Sequence, residues 1–252
     1  MLNLIKGEFY KLIKGRAFWL CLISLSVICA FTPLFLKFMI YDQKLDMVYD
    51  PIYDSLYVLA EEFIFNVMGV LTAIFIVGEY STGSISQITG RGIHRVYFFV
   101  SKFIVVAVAN IILMLSSVIS RYIGAALIFQ FKIQLSLEDL YKIGIILVGE
   151  SIATLGLTGI YCLISYVFRN MAIAIPANCA AITVQKLFAI IIVVILNDLE
   201  NARDWWFIEM TGNMARFNNF STQIILKSSV IFIVTMVISL TISLIVFLKQ
   251  DI

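Results

Sequence analysis

Three ionisable residues stand inside long apolar runs: Arg121, Glu150 and Lys186. A charge in hydrocarbon costs several kcal/mol unless it is paired or wetted, so each of the three needs a partner or a task. Counted from the same-side end of its own run, each lies about 6 to 10 residues in, or roughly 10 to 15 Å below one surface at 1.5 Å per residue. They can therefore meet. The plain reading is a salt bridge between Arg121 and Glu150 that stitches two helices together, with Lys186 snorkelling or facing a partner. The functional reading puts all three on a polar substrate path, or on a switch that re-pairs when helices move. Ser116, Ser120 and Gly124 add a small-residue stripe at four-residue spacing, which lets another helix approach closely beside Arg121.

A second concentration of polar residues runs from Gly78 to Phe103, GEYSTGSISQITGRGIHRVYFFVSKF. Ser81 or Ser84 can cap a short helix with Ile85 and Ile88 on one side, Gly90 can end it, and Gly92 permits a second bend. The product is a compact knob with two small apolar anchors and Arg91 and Arg95 at its rim. Such a knob suits docking into a cleft on a cytoplasmic partner. A plain positive loop that only fixes topology would account for Arg91, Arg95 and Lys102, but not for the helix-sized insert or for Glu79.

Other chemistry lacks its residues. There is no GxxxxGK[ST] phosphate loop; the nearest approach, Gly83 to Gly90 followed by Arg91, has the wrong spacing and no Lys. The single histidine, His94, leaves no HExxH zinc motif and no histidine-based phosphatase, and no GxSxG elbow occurs. Cys21, Cys29, Cys162 and Cys179 fall inside apolar runs without metal-ligand spacing, as buried small side chains do. These readings argue against an enzyme, and for a chain that binds no metal, cofactor or nucleic acid of its own.

The elements that must carry these residues are membrane helices. Of 252 residues 62% are hydrophobic and 13% charged, far from the balance of a soluble domain. Six runs are long enough to cross about 30 Å of hydrocarbon: about Ala17 to Ile40, Tyr57 to Val77, Phe98 to Phe129, Gly144 to Phe168, Ala172 to Leu196 and Ile224 to Leu248. Their length without alternating polarity argues for helices and against a barrel. The first run has no small-residue cleavage site after it and reads as a retained span. The predicted fold is all-α and polytopic, a single transmembrane domain over residues 1–252.

Charge sets the expected orientation. With the N-terminus cytoplasmic, the inner segments hold nine basic residues against three acidic ones, and the outer segments seven against twelve. Both termini, and the knob within about residues 79–97, are then cytoplasmic in a cell membrane. Residues 1–16 set Leu2, Ile5, Phe9, Leu12 and Ile13 on one stripe away from Lys6, Lys11 and Lys14, which fits a helix lying in the interface. On the outer side, about Tyr41 to Leu56 reads as an acidic polar loop containing Pro51. The segment of about residues 197–223 holds Trp205 and Trp206, either as an interfacial aromatic anchor or in a re-entrant or surface helix that shapes an exit. No soluble domain is present, so energy must come from another polypeptide or an ion gradient.

These stretches together resemble the membrane subunits of type-2 ABC exporters, especially small permeases of low-GC Gram-positive bacteria linked to lantibiotic, bacteriocin or bacitracin immunity. GEFYKLIKGRAFW, Gly7 to Trp19, is similar to their charged lead-in helix. EYSTGSI, Glu79 to Ile85, is similar to their Glu-aromatic-x-x-Gly-Thr/Ser signature after the second span, and RGIHRVYFFVSK, Arg91 to Lys102, resembles the run leading into the third. The chain departs from the pattern at Gly92-Ile93-His94, where a Pro or Ser often stands. The resemblance implies a cytoplasmic coupling helix at Ser84 to Thr89, a gating or hinge carboxylate at Glu79 beside Tyr80 and Gly83, and Arg91 and Arg95 at the rim. It also implies ATPase subunits that carry the ATP and Mg, a second permease, identical or related, and export of an amphipathic or antimicrobial peptide. Three alternatives stay open: an ABC permease for a drug, lipid or secreted peptide, a gradient-driven transporter using Glu150, and a sensor or assembly subunit.

Overall fold

The computed structural model describes residues 2–43, 51–81, 94–129, 136–196, 207–216 and 220–249, and all regular structure among them is helical. In chain order the helices are α1 (Leu2–Lys14), α2 (Arg16–Gln43), α3 (Pro51–Tyr57) running into a 3-10 turn (Val58–Ala60), α4 (Glu62–Ser81), α5 (Arg95–Phe129), α6 (Leu137–Phe168), α7 (Met171–Leu196), α8 (Phe207–Met214) and α9 (Thr222–Leu248). Five stretches are long and apolar enough to span a bilayer: Arg16–Phe38, Glu62–Tyr80, Arg95–Phe129, Leu137–Phe168 and Thr222–Leu248. The run predicted as Ala172 to Leu196 is helical as α7, and its stretch Met171–Gln185 is a shorter apolar helix.

Helix ends follow local chemistry. Helix α6 begins well before the apolar run because Ser136 and Asp139 close a capping box: the Asp139 N–H donates to Ser136 Oγ at 3.1 Å, and the Ser136 N–H donates to Asp139 Oδ2 at 3.0 Å. It ends at Arg169, whose left-handed backbone (φ 33°) turns the chain. Asn170 Oδ1 then accepts from the Ala172 N–H at 2.9 Å and starts α7, so α6 and α7 form a tight hairpin.

Helices α4, α5 and α6 form the inside of the bundle. The apolar window of α4 is 56% buried, against 17% for α2 and 22% for α9, which lie on the outside. Helix α9 runs along α6 in the most extensive pairing, and α2 runs along α5. Both pairings need glycine. A Cβ on Gly124 of α5 would overlap the Ala30 carbonyl of α2, and one on Gly156 of α6 would stand 2.9 Å from the Phe232 carbonyl oxygen of α9. The small-residue stripe read on the third span thus meets α2 at Gly124.

Two corrections concern the ends of the bundle. The stretch read as a polar loop, about Tyr41 to Leu56, is helical from Pro51 as α3, with Leu56 buried, and the 3-10 turn with buried Val58 and Leu59 takes up the start of the predicted second span. Pro51 starts this helix, as Pro at a first helical position does, and the second span consequently begins at Glu62 and not at Tyr57. In α1 the predicted stripe is only partly the buried one: Leu12 is buried and Ile5 and Phe9 pack on the core, but Leu2 and Ile13 are exposed and Glu8 is buried at the centre of the face. Helix α8, inside the segment of about residues 197–223, buries Met210, Thr211 and Met214 against the 3-10 turn, α6 and α9. Trp205, Trp206 and the coupling-segment residues Gly83, Ser84, Ile85, Ile88 and Arg91 lie outside the described residues.

Candidate functional site

At the end of the bundle where α1 lies, four charges from three helices come together. Glu79, on the last turn of α4, meets Lys102 of α5 at 2.6 Å and Lys11 of α1 at 2.9 Å. Glu8 of α1 pairs with Lys11 at 2.9 Å and, through its other oxygen, with Lys102. Lys102 is only 2% exposed, and its ammonium also stands over the Phe75 ring at 4.1 Å and the Phe98 ring at 5.5 Å. Two carboxylates and two ammoniums balance, the condition under which charges tolerate burial. Burial of Lys11 opposes its charge, but the hydrogen bonds from its ammonium to Glu8 and Glu79 outweigh that and raise its pKa above the ordinary 10.5. Its stabilising contribution is therefore complete below that value and fades only as the pH climbs past it.

At the other end, Arg121 of α5 does not pair with Glu150. It forks onto Asp54 of α3, with Nε to Oδ2 at 3.0 Å and Nη2 to Oδ1 at 2.8 Å, and its Nη1 pairs with Glu61 between the 3-10 turn and α4. This corrects the expected salt bridge, and the cause is α3: a helix in place of a loop brings two carboxylates to the guanidinium. Glu150 is buried, 2% exposed, and its Oε1 has no hydrogen-bond partner among the described residues. Lys186 lies on α7, with its side chain outside what is described.

Between the two ends runs a ladder of buried polar contacts. Thr154 Oγ1 of α6 is 3.5 Å from Met114 Sδ of α5, and Asn110 Nδ2 donates to Thr158 Oγ1 at 2.9 Å and to Thr72 Oγ1 of α4 at 3.2 Å. Asn178 Nδ2 of α7 donates to the Gly69 carbonyl at 2.9 Å and to Ser165 Oγ at 3.2 Å, and Tyr161 OH donates to the Phe65 carbonyl at 3.0 Å. The Met114/Thr154 and Asn110/Thr158 pairs fix an antiparallel register between α5 and α6. In that register Lys102 is level with Tyr166, and Glu150 is level with Val118, about 4.5 Å along the axis from Arg121. The height match that suggested an Arg121 to Glu150 pair is real; the direction of the Arg121 side chain is what differs.

Of the residues singled out from sequence, the fold gathers Glu79 and Tyr80, whose ring meets Tyr166 edge-on at 6.4 Å, while Arg95 opens α5. Glu8, Lys11 and Lys102 were not read as a cluster. The available signal was Lys102, a cation inside an apolar run, with Glu8 in the lead-in helix and Glu79 at the end of the second span on its side. Residues 4–184, which include both charge clusters, match the family model described as ABC-2 family transporter protein. No curated protein matches the chain. The chain therefore belongs to the ABC-2 transporter family, as a multi-pass membrane permease of an ABC transporter that associates with an ABC ATPase subunit.

Proposed function

We propose that the permease couples to its ATPase through the segment between α4 and α5, the two helices that end and begin beside the four-charge cluster. The observation that carries this reading is Glu79: its carboxylate is held by Lys11 of α1 and Lys102 of α5. A push on the segment that follows α4 is therefore transmitted to three helices at once. In this reading Ser84 to Thr89 is the docking helix, with Ile85 and Ile88 as its apolar anchors and Arg91 and Arg95 at the rim. Both termini are cytoplasmic, a second permease completes the pathway, and ATP and Mg stay on the ATPase. The whole chain acts as a single transmembrane domain. The cargo is amphipathic, an antimicrobial peptide expelled for self-immunity, which rests on the resemblance of the two Glu-bearing motifs to immunity permeases.

The test is affinity purification of the tagged permease from its native membrane in mild detergent, comparing wild type with Ile85→Asp and with Glu79→Gln. An ATPase subunit should co-elute with wild type and be lost or strongly reduced with Ile85→Asp, while Glu79→Gln keeps it bound but lowers the stimulation of ATP hydrolysis by cargo. Retention of the ATPase by Ile85→Asp would sink the docking assignment.

A second reading is favoured by one feature, the Oε1 of buried Glu150, which has no hydrogen-bond partner among the described residues. A carboxyl in that setting suits proton-dependent transport. Loss of a pH-gradient response in Glu150→Gln, with ATP-driven transport unaffected, would support it.

A further inference from the structure

The bend between α1 and α2 roofs a cavity of about 470 Å³, walled by Lys11 and Gly15 at the bend, Ala17 and Phe18 on α2, and Leu71 and Phe75 on α4. That volume is in the range of small-ligand sites. The roof depends on Gly15, whose N–H reaches back to the carbonyls of Lys11 (2.9 Å) and Leu12 (3.2 Å); a Cβ there would stand 3.0 Å from the Lys11 oxygen. Glu79 borders the cavity at its polar end and Leu71 at its apolar end. Eight residues of helix separate them, so the cavity extends about 12 Å into the hydrocarbon.

Its walls are apolar, the charged residues that line it are Lys11 and Glu79, and Lys14 and Arg16 flank the lining Gly15 in sequence. Lys11 is half exposed at 47%, and Lys14 and Arg16, exposed on either side of Gly15, make no ion pair among the described residues. Because Glu8, Glu79, Lys11 and Lys102 already balance one another, Lys14 and Arg16 are a surplus of positive charge. The exposed Leu2, Tyr10 and Ile13 of α1 are the apolar side of a helix lying on a lipid surface.

We propose that this cavity binds one anionic phospholipid, with an acyl chain in the apolar chamber and the phosphate held at the rim by Lys14, Arg16 and Lys11. A zwitterionic lipid fills the chamber but leaves the charge surplus unanswered; a soluble phosphate answers the charge but not the chamber. Binding does not depend on the ATPase-coupling reading. Where that reading holds, the lipid touches Lys11 and so biases the grip on Glu79.

The experiment uses the purified full chain in a neutral detergent with dioleoylphosphatidylglycerol, dioleoylphosphatidylcholine or glycerol 3-phosphate, read by native mass spectrometry and by the unfolding midpoint. One phosphatidylglycerol should be retained at least fivefold more tightly than phosphatidylcholine, and glycerol 3-phosphate should shift nothing. The Lys14→Gln, Arg16→Gln double variant should abolish that preference. Ala17→Phe, which fills the chamber, should lose the bound lipid while the lipid-free midpoint stays near wild type. Equal retention of the two lipids, a glycerol 3-phosphate shift equal to that of the lipid, or undiminished retention in the charge variant overturns the proposal. The charge variant changes only exposed residues and decides the matter even if Ala17→Phe folds poorly.

Discussion

Lys102 and Glu150 are both buried to 2% exposure, yet they pose opposite physical problems. Lys102 answers two carboxylates, so Lys102→Met leaves Glu8 and Glu79 to share the one ammonium of Lys11 and should cost about 3–5 kcal/mol. Adding Glu8→Gln should recover part of that loss, a pattern read from thermal unfolding of the single and double variants in detergent. Among the described residues Glu150 faces no cation, so Glu150→Gln should stay within about 1 kcal/mol of wild type. A loss as large as that of Lys102→Met would mean that Glu150 pairs with a cation after all. Residue type alone marked Arg121, Glu150 and Lys186 as needing partners, since hydrocarbon tolerates no lone charge, and passed over Lys102. Their partners were not legible, because Asp54 and Glu8 come from segments whose helical direction only the packed fold defines.

Among the helices, the close pairings make the sharpest demand. Gly124→Val would drive its side chain into the backbone of α2 and should cost at least about 2 kcal/mol or prevent assembly. Gly144→Ala, on α6 with open space around it, should be neutral or slightly stabilising, by up to about 1 kcal/mol. Unfolding midpoints of the two variants side by side check both. The spans were legible because twenty apolar residues in a row have few alternatives to a membrane helix. Helix α3 was not, although Ile52, Leu56 and Leu59 recur at helical spacing, because Pro51 also marks loops and only its position at the start of the helix resolves its meaning. The capping box at Ser136 was equally local and equally easy to pass over beside a stronger apolar signal eight residues on.

For the molecule as a whole, α5 is tied at both ends: Lys102 is locked to α1 and α4, and Arg121 to α3 and the turn before α4. Nineteen residues separate these two anchors, about 28 Å of helix, close to the thickness of a bilayer's hydrocarbon. Helix α5 is therefore a gauge of fixed length held between two polar clamps. In a thinner bilayer the clamps can both stay at the polar boundary only if the helix leans, and leaning works against α1 at one end and α3 at the other. Reconstituted into phosphatidylcholines of increasing chain length, the protein should show its highest unfolding midpoint where the hydrocarbon is about 28 Å thick and lower values on either side; a flat profile would show that the clamps yield independently. The ion pairs that settle the buried charges thus also match the permease to a membrane of one thickness.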